Sequence, residues 1–235
     1  MGLKDNRRLI DKELTTIEAR RSISPALYAL SQFLNKEINA HVRGKVLDAG
    51  CGEMPYKDII KSKAQVYETL DMEPRAPGVT YVGSLQQMPM VASNDYDAVF
   101  CAEVLEHVPD PLKAVGEVSR VLKKGGVFLL SVPHLSRLHE IPHDYYRYTP
   151  YGIRYMLEQN GFDIVALYPT GTLLTFFGHQ YSLLINCLFW NVPGLKWVVK
   201  AVNFWCCVLP CFYLDRLFAQ KSLFPLGHIC VARKR

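Results

Sequence analysis

The chain has 235 residues, 49% of them hydrophobic, enough to bury one well-formed core and too few for two full-sized domains with independent cores. Its 27 basic and 22 acidic side chains leave a net charge of +5, short of the clustered basic stripe of a dedicated nucleic-acid binder. Part of that excess sits near the ends, in Arg7, Arg8, Arg20, Arg21 and Arg233-Lys234-Arg235, solvated positions that also suit an anionic membrane surface.

Met1 to Arg21 is charged throughout and lacks the apolar core of a secretory signal, so the expected location is cytoplasmic. The seven cysteines include no C-x-x-C pair, which fits a reducing compartment and thiols used as small buried hydrophobes. From Ser24 to Ala40, Leu27, Leu30, Leu34 and Ile38 recur at three- and four-residue spacing. That spacing predicts an amphipathic helix capped by Ser24, with Pro25 in its first turn.

Short apolar runs then alternate with helical patterns: Lys45–Ala49, Gln65–Asp71, Thr80–Val82, Asp97–Ala102 and Val127–Val132. Helix-length spacers between strands imply crossover connections, hence a mostly parallel sheet covered on both faces. The best-defined helix has Asp110 as cap, Pro111 in its first turn, and Leu112, Val115, Val118 and Leu122 facing inward, with Gly125-Gly126 as its stop. A later helix runs from Thr149-Pro150 to Asn160-Gly161 with Ile153, Met156 and Leu157 on one side, and a sixth strand, Phe162–Tyr168, follows it. From Pro169 to Pro225 the chain is rich in Leu, Phe, Trp and Cys and almost free of acid, and His228–Ala232 closes it as a final strand.

The strongest chemical signal is Val46-Leu47-Asp48-Ala49-Gly50-Cys51-Gly52-Glu53, a buried strand ending in an aspartate and a Gly-x-Gly turn. Such a turn lets the backbone approach a ligand closely. A dinucleotide fingerprint would require a third glycine where Pro55 and Tyr56 stand, which argues against a nucleotide-dependent oxidoreductase. Asp71 ends the second strand some twenty residues on, at the place where doubly wound folds hold ribose hydroxyls.

The D-x-G-x-G turn, together with Cys101-Ala102-Glu103-Val104-Leu105-Glu106-His107-Val108-Pro109-Asp110-Pro111, resembles class I S-adenosylmethionine-dependent methyltransferases of the type 11-like family. The resemblance runs from about Lys45 to Tyr168. It implies a doubly wound, Rossmann-like α/β sheet of seven strands with the last antiparallel, and an apolar helical insertion, 169–226, between strands six and seven. Residues 1–44 would form an N-terminal helical segment and 45–235 the methyltransferase domain. S-adenosyl-L-methionine is the implied cofactor, held by Asp48, Gly50, Cys51, Gly52, Asp71, Met72, Ser84, Leu85, Cys101 and Glu103. Ser84 stands where many relatives carry an acid for the adenine amino group, which puts that contact in doubt.

In the resemblance His107 lies near methyl transfer, where it either accepts a substrate proton or braces the loop. The segment His139-Glu140-Ile141-Pro142-His143-Asp144-Tyr145-Tyr146-Arg147-Tyr148-Thr149 is similar to a substrate-facing loop of methyltransferases encoded among glycan and envelope-lipid functions. It nominates His139, His143 and Tyr146 beside His107 as catalytic candidates, and Asp144 and Arg147 as substrate contacts. Two imidazoles and two acids within six residues invite a metal, yet Pro142 disfavours a helical His139/His143 pair, and no metal is assigned.

Within 169–226, Leu173–Trp190 and Leu195–Phe218 are apolar but interrupted by polar and charged residues, unlike a clean membrane-spanning helix. Trp190, Trp197, Trp205 and nearby lysines suit a helix lying in a membrane interface, and a lid or a dimer contact without lipid is the alternative. The expected activity is methylation of a small apolar or lipid-linked acceptor, a quinone or isoprenoid precursor or an envelope glycan lipid, at the inner membrane face. A catalytically silent cofactor-binding or membrane platform is the competing reading.

Overall fold

The computed structural model describes residues 3–14, 16–218 and 224–235, so 219–223 of the expected insertion lie outside the described residues. Its strands are β1 (Gly44–Ala49), β2 (Ala64–Asp71), β3 (Tyr81–Val82), β4 (Tyr96–Ala102), β5 (Leu122–Pro133), β6 (Phe162–Thr170) and β7 (Gly227–Lys234). Its helices are α1 (Leu3–Glu13), α2 (Ile17–Arg21), α3 (Pro25–His41), α4 (Lys57–Lys61), α5 (Pro111–Val121), α6 (Pro150–Gln159), α7 (Leu173–Phe189), α8 (Leu195–Asn203) and α9 (Leu209–Phe218). The chain forms two units, one of residues 34–168 and 227–235, the other of 1–33 and 169–226.

The seven strands form one sheet in the order β3-β2-β1-β4-β5-β7-β6, parallel across β3-β2-β1-β4-β5 and antiparallel between β5 and β7. The central strands are buried on both faces, as a parallel sheet between helices requires, with Val46 to Ala49 and Val127 to Pro133 continuously buried. Leu47, Val99, Phe128 and Leu130 are among the side chains completing that core, each contributing roughly 1.5–3 kcal/mol for full burial. Order reverses between β1 and β4, so the loops leaving their carboxyl ends diverge and open a crevice.

Helix α5 starts as its sequence predicts and departs from the pattern in its buried face and at its end. Asp110 Oδ1 accepts the Lys113 N–H at 3.1 Å, but the buried stripe is Ala114, Val115, Val118 and Val121, and Leu112 is exposed. The helix stops at Val121, not at Gly125-Gly126, because Leu122 already takes an extended conformation and pairs with Tyr96 of β4. The two glycines lie in an irregular stretch of β5: Gly125 has φ +77°, and a Cβ on Gly126 would meet Lys123 O at 2.8 Å. Helix α6 follows its pattern, with Thr149 Oγ1 accepting the Gly152 N–H and Ile153, Met156 and Leu157 buried.

In the second unit, Ser24 Oγ accepts the Leu27 N–H at 3.1 Å and Pro25 opens α3. Ile10, Leu14, Ile23, Cys187 and Trp190 share one apolar cluster, and Asn6 Nδ2 donates to Cys187 O at 2.7 Å, tying α1 to the end of α7. Helices α8 and α9 run together through a π-helical stretch, Phe204–Val208. Gly178 lets α7 approach α9, since a Cβ there would meet Cys211 Sγ at 2.3 Å. Asp215, which the sequence presents as a charge opposed to apolar surroundings, is buried as an acceptor for the Thr172 N–H, the Thr172 hydroxyl and the Thr175 hydroxyl. It thereby anchors the start of α7 to α9.

His228 is buried beside His134, and desolvation first, then that neighbour, push its pKa down to about 4. The unfolded chain protonates near 6.5. Its contribution to stability is therefore complete above pH 6.5 and falls as pH drops towards 4, by on the order of 2–3 kcal/mol. Urea unfolding at pH 7.5 and 4.5 should show that loss in the wild type and a smaller one in His228→Gln. Asp215→Ala should destabilise the helical unit by about 3 kcal/mol through its three stranded donors. Tryptophan fluorescence reports that unit selectively, because all three tryptophans, Trp190, Trp197 and Trp205, lie in it.

Candidate active site

The turn after β1 is built by backbone contacts that only glycine permits. Gly50 has φ +77°, and a Cβ there would meet Val104 Cγ2 at 2.4 Å. The Gly50 and Cys51 N–H groups both donate to Leu70 O, at 2.7 and 3.1 Å. Gly52, at φ +52°, has open space where a Cβ would stand, and its N–H donates to Asp71 Oδ2 at 2.7 Å. Asp71 Oδ1 accepts the Glu73 N–H, so this carboxylate is oriented by backbone donors on both oxygens. Asp48 is buried at the strand end and accepts the Tyr67 hydroxyl at 2.7 Å. Desolvation, reinforced by Asp71, pushes its carboxyl up to about 7.

This donor set fits the cofactor that the motifs imply. A buried acid short of a compensating cation suits an ammonium, and a fixed, partly exposed carboxylate retains lone pairs for ribose hydroxyls. The other expected cofactor residues are less uniform. Met72 is exposed, Ser84 Oγ accepts from the Gln86 backbone at 3.2 Å, and Cys51, Leu85 and Cys101 are buried, the latter two inside the sheet core. Burial pushes the Cys51 thiol up to about 12, leaving it a neutral packing group.

Opposite the turn, Glu103 sits at φ +55° with its N–H on Ser131 O at 3.0 Å and its Oε1 accepting the Ser131 hydroxyl at 3.0 Å. Burial, then the neighbouring Glu106, raise its carboxyl to about 8. A 3₁₀ turn, Leu105–His107, follows and buries Glu106 completely. His107 Nε2 lies 3.6 Å and His139 Nε2 3.7 Å from the same Glu106 Oε1, and the two imidazole rings meet edge to face at 4.8 Å. The Glu106 carboxylate beside it lifts the His139 pKa above its ordinary value.

The structure therefore brings the His107 and His139 rings together on Glu106, with His143 O behind the first at 2.6 Å and Asp144 Oδ2 behind the second at 3.6 Å, while the other loop side chains are engaged elsewhere. The His143 imidazole is engaged by the Tyr145 hydroxyl at 2.9 Å, and the Tyr146 hydroxyl donates to Pro109 O at 2.8 Å. Asp144 and Arg147 form a two-pronged pair at 2.5 and 2.8 Å, and Arg147 also donates to the Arg137 and Tyr146 carbonyls. That pairing holds the Asp144 carboxyl well below its usual range. Arg75 and Glu140 form a second such clamp, at 3.0 and 3.2 Å. Glu106, Tyr67 and Arg75 are the site-forming residues that pattern reading missed. Glu106 lies inside the Cys101–Pro111 motif without being singled out by it, while Tyr67 and Arg75 belong to no motif.

A family model described as a methyltransferase domain matches residues 17–167. The chain is 26% identical over 117 residues to a ubiquinone biosynthesis O-methyltransferase of Histophilus somni, covering 43% of this chain and 49% of that protein. It is 31% identical over 100 residues to the protein of the same name from Xanthomonas campestris pv. campestris, covering 37% and 42%. The matches thus span less than half the length of these curated relatives. Among solved structures, a SAM-dependent methyltransferase from Archaeoglobus fulgidus superposes with a TM-score of 0.57 at 15% identity, covering 97% of this chain and 99% of that one. At such identity the likeness shows the fold.

Asp71→Ala should weaken binding of S-adenosylhomocysteine by about 1.5–3 kcal/mol, the worth of hydrogen bonds to a charged group. Isothermal titration checks it, and an unchanged dissociation constant would remove Asp71 from the site.

Proposed function

Because the chain belongs to the methyltransferase-domain family, we propose that it transfers a methyl group from S-adenosylmethionine to a hydroxyl of a small apolar or lipid-linked acceptor. The observation that carries this reading is the convergence of His107 and His139 on buried Glu106, in the loop whose Val104 packs against Gly50. When bound, S-adenosylmethionine supplies a methyl group activated on a sulfonium, with a neutral thioether as leaving group. Asp48 would hold the ammonium of its methionine part and Asp71 its ribose. The Glu103–His107 turn and His139 would receive the acceptor hydroxyl and favour loss of its proton. Alignment of acceptor and methyl group is the chief demand on the protein, worth roughly 7–11 kcal/mol in favourable cases.

An apolar acceptor is supported by the surface of the helical unit, where Phe177, Trp197, Val202, Trp205 and Leu217 are more than half exposed. Leu195–Leu217 is long and apolar enough to cross a membrane by length and composition. Its lysines favour the interface instead: Lys196 and Lys200 both lie over the Trp197 ring, at 5.4 and 5.5 Å, an arrangement suited to headgroup depth. Two of the relatives are named for O-methylation in ubiquinone biosynthesis, which favours a quinone precursor among such acceptors. Ser84 in place of an adenine-binding acid is the one feature that favours a silent cofactor-binding platform instead.

The protein incubated with methyl-labelled S-adenosylmethionine and a membrane lipid extract should move label into the organic phase. Label confined to water-soluble products would overturn the lipid-like acceptor, and none transferred would favour the platform. His107→Ala and His139→Ala should each lower kcat by about 10²–10⁴-fold while S-adenosylhomocysteine still binds.

A further inference from the structure

We infer that Glu106, His107 and His139 form a binding site for one divalent transition cation of the manganese or zinc class. Its role, holding the acceptor hydroxyl, rests on the methyl-transfer reading; the site itself does not.

His107 Nδ1 lies 2.6 Å from His143 O, and a carbonyl can only accept, so Nδ1 carries the hydrogen. His139 Nδ1 faces two acceptors, Arg137 O at 3.2 Å and Asp144 Oδ2 at 3.6 Å, with the same consequence. Each ring thus has its Nδ1 side committed and its Nε2 directed at Glu106. Backbone carbonyls and carboxylates behind the imidazoles are the usual second contacts of metal-binding histidines.

Glu106 supplies the independent observation. Its side chain is 0% exposed, and among the described residues neither carboxylate oxygen has a hydrogen-bond donor. A fully buried carboxylate without donors or a bound cation costs several kcal/mol. Neither imidazole reaches it as a hydrogen-bond donor, because 3.6 and 3.7 Å is too long for a charge-assisted hydrogen bond of about 2.7–2.9 Å. Those separations do suit atoms sharing a cation at about 2.0–2.2 Å from each. One ligand atom from each of the three residues lies within 4.8 Å of the others.

Two nitrogens and one oxygen favour a transition cation over magnesium or calcium, which take oxygen sets. Three protein ligands leave coordination positions for an oxygen of the acceptor, whose hydroxyl would be made more acidic by the charge. The proton would leave to solvent, the oxygen would attack the methyl carbon, and the carbon–sulfur electron pair would stay on sulfur. The residues differ from those the loop motif suggests: His143 is turned to Tyr145, and Asp144 is committed to Arg147.

The test uses the full chain stripped with chelator and titrated with Mn2+ under electron paramagnetic resonance, with S-adenosylhomocysteine binding measured on the same samples. The expected result is one Mn2+ per chain, displaced by Zn2+, and weakened roughly tenfold or more in Glu106→Gln and His139→Gln. His41→Gln, which alters a histidine–carboxylate pair outside the site, should leave it unchanged. If a variant fails to fold, selective Mn2+ broadening of the wild-type His107 and His139 ring signals, with His41 and His179 spared, decides the matter. No stoichiometric Mn2+ or Zn2+, or equal binding in the variants, overturns the cation site. If S-adenosylhomocysteine binds in those samples the methyltransferase reading stands; if it does not, that reading fails separately.

Discussion

The site depends on how closely Val104 rests against Gly50. Any side chain at position 50 would collide with it, since even a Cβ comes within 2.4 Å of Cγ2. The contact joins the loops leaving β1 and β4, the strand pair at which the sheet order reverses. Doubly wound sheets bind ligands at that reversal. Here the close approach also places Glu103 in the left-handed region, at φ +55°, a conformation worth about 1–3 kcal/mol of strain. Two hydrogen bonds to Ser131 of β5 hold it there, so the turn is fixed by three adjacent strands.

The loop after β5 is braced rather than slack. The Tyr145 and Tyr146 N–H groups both donate to Glu106 O, at 2.8 and 3.3 Å, and the Tyr148 hydroxyl donates to Leu105 O at 2.8 Å. The Glu106 carbonyl thus takes two donors, while among the described residues its buried carboxylate takes none.

Much of this was legible in the sequence. The strands stood out because each is a short, nearly continuous apolar run, and caps such as Asp110 and Thr149 are read from one residue and its neighbours. The failures have a common origin in contacts between distant segments. Gly125-Gly126 looked like a helix stop, but pairing of Leu122 with Tyr96 recruits the preceding residues into β5. Asp144 and Arg147 stand out in sequence as polar loop residues, but their two-pronged pairing, which fastens the loop, is not visible there. Glu106 lay inside a recognised motif, yet its complete burial depends on a fold that no local pattern reports.

The helical unit joins the first thirty-three residues to a segment that begins at Pro169. Asn6 finds its partner at Cys187, 181 residues later, and Ser182 bonds back to Ile23 across 159. During synthesis the early helices must wait while the strands from β1 to β6 emerge, and closing so long a loop is slow. The order nevertheless protects the chain. When the apolar α7 leaves the ribosome, α1, which packs along it, already exists, and α8 and α9 complete its cover as they follow.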